Sequence, residues 1–142
     1  MRISDVIQHK GSDVITAAAT DSVEHLVALL ADNAVGAAVV IDEALGVIGI
    51  ASERDVVKAL RVFGDQALSK TIADVMSAPV QTCDPGDDIG GVAGLMTQLR
   101  VRHIPVVVAG NLAGIVSIGD IVKSRIDELQ AEQEHLVNYL QG

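Results

Sequence analysis

The strongest constraint on this chain is that it repeats itself. "GIASERDVVK" (Gly49–Lys58) returns 65 residues later as "GIVSIGDIVK" (Gly114–Lys123). "TDSVEHLVALL" (Thr20–Leu30) corresponds to "GDDIGGVAGLM" (Gly86–Met96), and "ISDVI" (Ile3–Ile7) to "IADVM" (Ile72–Met76). Whatever one half folds into, the other must closely match. Val23, Leu26, Val27 and Leu30 recur at i, i+3, i+4 and i+7, as do Ile89, Val92, Ala93 and Met96, so each half contains one apolar helix face. Asp21 or Ser22 is placed to cap the first of these helices, and Asp87 or Asp88 the second.

An apolar run follows each helix: "GAAVVID" (Gly36–Asp42) and "HIPVVVA" (His103–Ala109). These runs lack polar alternation, as strands covered on both faces do. Turns at Glu43–Ala44 and Gly110–Asn111 lead into second strands, "LGVIGIA" and "LAGIVS", and then into helices starting near Ser52 and Ser117. Pro105 suits a strand start or edge. Each half thus reads strand–helix–strand–strand–helix behind a short lead-in. The expected fold is α+β: two β-α-β-β-α repeats at 1–66 and 67–127, packed sheet to sheet, with a helical tail over 128–142. "RVFGDQALSKT" (Arg61–Thr71) reads as the linker between repeats. In the stretch Ile121–Leu140, the residues Ile126, Leu129, Leu136 and Leu140 form a sparse seam broken by Gln133. That seam fits either packing on its own repeat or pairing with a second subunit.

Composition narrows the partners. The net charge is −9, which disfavours nucleic acid, and no basic run offers itself to an anionic membrane. No apolar stretch reaches the length of a membrane span and no signal sequence opens the chain, so a cytoplasmic protein is expected. The lone Cys83 allows neither an intrachain disulfide nor a thiolate metal cluster, and His9, His25 and His135 lack ligand spacing, so no metal site is expected. Phe63 and Tyr139 are the only aromatic residues, so the core must be built from Val, Ile, Leu and Ala.

Both copies of the decapeptide carry Gly-Ile-x-Ser-x-x-Asp at a strand-to-helix junction. A serine three residues before an acid, ahead of an apolar helix, is a capping box: Ser52 with Asp55, and Ser117 with Asp120. The same atoms can also grip a ligand. A helix N-terminus with free N–H groups attracts a phosphate, the serine adds a donor, and the carboxylate can accept both hydroxyls of a ribose.

With the doubled pattern, the two junctions and the two "IxDV" lead-ins together, the sequence resembles a tandem pair of CBS domains, often called a Bateman module, over Met1 to about Arg125. It is similar to small stand-alone bacterial members. The resemblance implies clefts between the repeats, related by a pseudo-twofold axis, that take AMP, ADP, ATP or NAD and in some members S-adenosylmethionine. It implies that Ser117 and Asp120 contact phosphate and ribose, that Arg102 and His103 contact phosphate, and that Val35, Gly36 and Ala37 line the adenine. A second cleft would use Ser52 and Asp55. There the strand-start counterparts of Arg102 and His103 are the uncharged Gly36 and Ala37, leaving Arg54 as the compensating cation. A homodimer and an unidentified protein partner are further expectations.

Three functions follow in order: a non-enzymatic adenine-nucleotide sensor, a structural or docking module whose Ser–Asp pairs merely cap helices, and an enzyme. The enzyme ranks last because no nucleophile–base pair or paired-carboxylate motif is present. "GDDIGGVAGLM" lacks the spacing of a dinucleotide fingerprint, no P-loop lysine occurs, and nothing near Cys83 would activate it.

Overall fold

Both apolar helix faces form where their periodicity places them. In the computed structural model, which describes all residues Met1–Gly142, helix α2 spans Val23–Asn33 and helix α5 spans Ile89–Leu99. Ser22 and Asp88 are the caps; their side chains accept from the amides of His25 and Gly90. Val23, Leu26 and Leu30 are buried, as are Ile89, Val92 and Met96, whereas Val27 on the edge of the stripe is 37% exposed. Each helix ends on a left-handed residue, Ala34 or Arg100, which turns the chain into the following strand.

The remaining elements are helix α1 (Ile3–Lys10), strands β1 (Thr16–Ala17), β2 (Ala37–Asp42) and β3 (Gly46–Ser52), helices α3 (Glu53–Phe63) and α4 (Ile72–Val75), strands β4 (His103–Val108) and β5 (Asn111–Ser117), and helix α6 (Ile118–Gln141). β1 pairs parallel with β2, and β2 antiparallel with β3. In the second repeat the counterpart of β1 shrinks to one parallel bridge, Cys83 to Val106, beside the β4–β5 sheet. Pro105 is an interior residue of β4 and fully buried, but β4 is an edge strand of the two-stranded β4–β5 sheet, as the missing proline donor requires. It still contributes to the pairing, because its carbonyl accepts from the amide of Cys83 at 3.0 Å.

The expected linker is structured. Residues 61–63 continue α3, and Gly64–Ser69 form a 3₁₀ helix that buries Ala67 completely. The tail at 128–142 is likewise no separate piece, since α6 runs unbroken for 24 residues.

The chain divides into two compact units, and these cut across the sequence repeats. One comprises Met1–Ser12, Thr82–Val108 and Ala113–Gly142; the other comprises Asp13–Gln81 with Ala109–Leu112. Each lead-in therefore belongs with the body of the opposite repeat. Backbone bonds show why. In the first unit the amides of Ile3 and Ser4 donate to the carbonyls of Asp87 and Pro85, and the amide of Ile89 donates to the Met1 carbonyl. In the other the amides of Ile72 and Ala73 donate to Asp21 and Ala19, and Val23 donates to Lys70, the same three bonds at equivalent positions. Ile3 and Ile72, both fully buried, then fill their respective cores. Ile3 and Val6 join Ile89, Val92, Met96, Ile104 and Val116; Ile72 joins Leu26, Leu30, Ala38, Val40 and Ala51.

The lead-ins also explain the glycine that opens each decapeptide. A Cβ at Gly114 would lie 2.7 Å from Ile7 Cδ1; one at Gly49 would lie 2.7 Å from Met76 Sδ and 3.0 Å from the Ser77 carbonyl oxygen. In both units the strand has no side chain where the lead-in crosses it. The two sites differ in what must yield. Ile7 can rotate its terminal methyl, but at Gly49 a backbone oxygen stands in the way. Gly49→Ala should destabilise by about 1–3 kcal/mol through overpacking. Gly114→Ala should fall within about 1 kcal/mol of wild type, because relief of unfolded-state entropy offsets part of the clash. Urea denaturation of the two single variants measures the difference.

Candidate functional site

Each decapeptide folds into the junction its pattern predicts. β3 ends at Ser52, which caps α3, and β5 ends at Ser117, which caps α6. Both form reciprocal capping boxes. The Asp120 amide donates to Ser117 Oγ at 3.1 Å, and the Ser117 amide donates to Asp120 Oδ2 at 2.9 Å. The Asp55 amide donates to Ser52 Oγ at 3.3 Å, while Asp55 Oδ2 accepts from the Ser52 amide at 2.9 Å and the Ser52 hydroxyl at 3.1 Å. The capping role inferred from the sequence is thus fulfilled at both places.

The strand starts are brought to the same junctions. The carbonyl of Arg102, just ahead of β4, accepts from the first amide of α6, Ile118, at 2.9 Å; the carbonyl of Gly36 accepts from Glu53 at 3.0 Å. Ala37 faces Ser52 across the β2–β3 pair. One unit therefore groups Ser117, Asp120, Arg102 and His103. The other groups Ser52, Asp55, Arg54, Val35, Gly36 and Ala37. Arg102 is exposed, and His103 is partly buried.

The two carboxylates differ in surroundings. Asp55 is 6% exposed, and its Oδ1 accepts from the Ser77 hydroxyl at 3.3 Å. Asp120 is more open and pairs with a cation: Lys10 Nζ lies 2.6 Å from Asp120 Oδ2 and also donates to the Ile115 carbonyl at 3.0 Å. Burial pushes the Asp120 carboxyl upward, but the hydrogen bonds from Lys10 and Ser117, with the Lys10 charge, outweigh it. The net result lies below the ordinary value of 3.8. Lys10 and Ser77 were invisible to the motif analysis. Both sit at the ends of lead-ins, and the repeat register assigns each lead-in to its own half. The only trace in the sequence is that "ISDVI" and "IADVM" diverge immediately afterwards, into "QHK" and "SAP".

The remaining chemistry is spare. Cys83 is buried, and burial followed by the charges of Asp87 and Asp84 pushes its thiol up to about 12, so it stays protonated at neutral pH. No group of three or more His, Cys, Asp or Glu side chains converges as metal ligands would. No helix is long and apolar enough to cross a membrane.

The Lys10–Asp120 pair has a consequence for acid stability. A carboxyl whose folded pKa is depressed contributes stability above its unfolded pKa and loses it as pH falls through the folded value. Lys10→Met should cost about 0.5–1.5 kcal/mol at pH 7. The difference from wild type should shrink as pH drops below 3.8 and Asp120 protonates in both proteins. Thermal melts followed by circular dichroism at pH 7 and at about pH 3 test this.

Comparison with known proteins agrees with the doubled architecture. The sequence profile of the CBS domain matches twice, at residues 3–62 and 72–127. The chain is 33% identical to the mitochondrial CBS domain-containing protein CBSX3 of Arabidopsis thaliana, an alignment covering 99% of this chain and 72% of that one. Among solved structures it resembles the CBS-domain containing protein ATU1752 of Agrobacterium tumefaciens, with TM-score 0.84 and 37% identity over 88% of this chain and 99% of that one. It also resembles the CBS domain pair of protein MJ0100, solved in complex with methylthioadenosine and S-adenosyl-L-methionine, with TM-score 0.77 and 25% identity over 87% and 98% of the two chains. Two matched repeats in one chain, each containing its Ser–Asp junction, place this protein in the CBS domain family as a tandem pair.

Proposed function

We propose that this chain is a non-catalytic regulatory module that binds an adenosine-containing ligand, namely AMP, ADP, ATP or NAD, at its Ser–Asp junctions. The observation that carries the reading is the grouping of a hydroxyl, a carboxylate and a helix N-terminus with Arg102 and His103 in one unit. The α6 N-terminus and Ser117 would take phosphate, Arg102 would add positive charge and His103 a ring N–H donor, and Asp120 would accept the ribose hydroxyls. The base-lining role of Val35, Gly36 and Ala37 belongs to the same proposal. The ligands in the related MJ0100 structure are both adenosine derivatives, which supports the choice of class. The Ser52–Asp55 junction ranks second. Its strand start is uncharged, Asp55 is almost fully buried with its oxygens engaged by Ser52 and Ser77, and Arg54 is the cation nearest in sequence. Ligand would regulate by binding two arrangements of the module unequally, since only differential affinity can shift such an equilibrium.

A structural module is the competing reading, and one feature favours an assembly role beside ligand binding. Along α6 the side chains of Val122, Ile126, Leu129, Leu136 and Leu140 are 47–75% exposed at alternating four- and three-residue spacing, with Gln133 completing the series. Such a seam suits a second copy of the helix, and the reading therefore includes a homodimer.

Two measurements check these statements. AMP at about a hundredfold excess over its Kd should raise Tm by roughly 5–10 °C, and Asp120→Ala should abolish the rise. A flat response to AMP, ADP, ATP and NAD would leave only the structural reading. Light scattering should report a dimer at micromolar concentration, and Leu129→Glu with Leu136→Glu should shift it toward monomer; a wild-type monomer contradicts the assembly.

A further inference from the structure

The two junctions are near copies except for the side chain that each lead-in brings to the carboxylate. Beside Asp55 the lead-in supplies Ser77. Its backbone amide donates to the Ile50 carbonyl at 2.9 Å, and its hydroxyl donates to Asp55 Oδ1 at 3.3 Å. Beside Asp120 the lead-in is α1, and a single ammonium does both jobs. Lys10 Nζ donates to the carbonyl of Ile115, the repeat counterpart of Ile50, and to Asp120 Oδ2. A backbone bridge is fixed in place, whereas an ammonium on a flexible four-carbon stem, 31% exposed, can swing away.

Counting acceptor positions shows why that matters. A carboxylate oxygen offers about two lone-pair sites. Asp120 Oδ2 already accepts from the Ser117 amide at 2.9 Å and from Lys10 at 2.6 Å, so it is filled. The Ser117 bond belongs to the capping box and cannot be given up without loosening the start of α6. The Lys10 bond is the one that can be exchanged. A ribose diol that is to use both carboxylate oxygens has to displace the ammonium. From this arrangement we infer that Lys10 is a specificity-determining residue of the Ser117–Asp120 junction, a displaceable counter-ion that makes the site favour phosphorylated ribonucleosides over uncharged ones. The inference rests on the reading of Asp120 as the ribose acceptor. An uncharged nucleoside takes the counter-charge from Lys10 and returns none. A nucleotide brings its own anion, and the released ammonium joins Arg102 as a second cation on a net acidic chain, beside the imidazole of His103.

The test is isothermal titration of the full chain and of Lys10→Met and Lys10→Arg with adenosine, AMP and 2′-deoxy-AMP. The expected result is that Lys10→Met binds adenosine more tightly and AMP no more tightly than wild type. The preference for AMP over adenosine should fall by about fivefold or more. Lys10→Arg, which keeps the charge, should retain the wild-type preference. Lys10→Gln repeats the neutral substitution in case methionine disturbs the fold, and melts of all variants report integrity. If 2′-deoxy-AMP binds several-fold more weakly than AMP but Lys10→Met leaves the AMP-to-adenosine preference unchanged, the role of Lys10 is overturned while the ribose reading stands. If 2′-deoxy-AMP binds as tightly as AMP, or none of the three ligands binds any of the proteins, the ribose reading fails and takes the Lys10 proposal with it.

Discussion

The reciprocal bonds between a serine and the aspartate three residues further on anchor this structure. A strand cannot run straight into a helix without leaving the first amides of the helix unpaired. At both junctions the serine oxygen accepts one of those amides, and the aspartate reaches back to the amide of the serine itself. The box fixes where β3 and β5 stop and where α3 and α6 begin. The adjoining amides, Glu53 and Ile118, are then directed at the carbonyls of Gly36 and Arg102, which ties the start of one strand to the end of the next. The same hydroxyl, carboxylate and helix N-terminus are the groups the proposed ligand site would use. One motif can therefore read as structure and as site at once.

Around that anchor the molecule is built with unusually small parts. With only Phe63 and Tyr139 as aromatics, volume is filled by close approach rather than by large rings. The clearest cases are Gly49 and Gly114, where the lead-in residues Met76 and Ile7 occupy the space a Cβ would take. Asymmetry enters through what the lead-ins carry past the glycine. One ends in a hydroxyl, and the other in a cation that lowers the pKa of its carboxylate. Two junctions built on one motif thereby differ in their electrostatics through residues outside it.

Much of this was legible in advance. The apolar faces of α2 and α5, the β2–β3 and β4–β5 hairpins, and both capping boxes depend on contacts within a few residues, so periodicity and cap chemistry suffice to place them. Pro105 keeps to an edge strand, as its missing donor requires, while its carbonyl still accepts from Cys83; its burial within β4 follows from neighbours distant in sequence. The stretch Arg61–Thr71 reads as a linker, but its first residues continue α3 and Gly64–Ser69 form a 3₁₀ helix with Ala67 fully buried, a burial that depends on neighbours outside the stretch.

By itself the sequence determined the doubled pattern, the element types and the Ser–Asp junctions, because each of these is written in local spacing. Only the tertiary structure decided which lead-in serves which body. "ISDVI" and "IADVM" are nearly interchangeable as strings, and their docking bonds, from Ile3 to Asp87 and from Ile72 to Asp21, are the same three-bond clasp in either unit. Local propensity cannot distinguish a lead-in that folds onto its own repeat from one that folds onto the other. That choice rests on long-range closure of the chain, and it is the choice that brings Lys10 to Asp120 and Ser77 to Asp55.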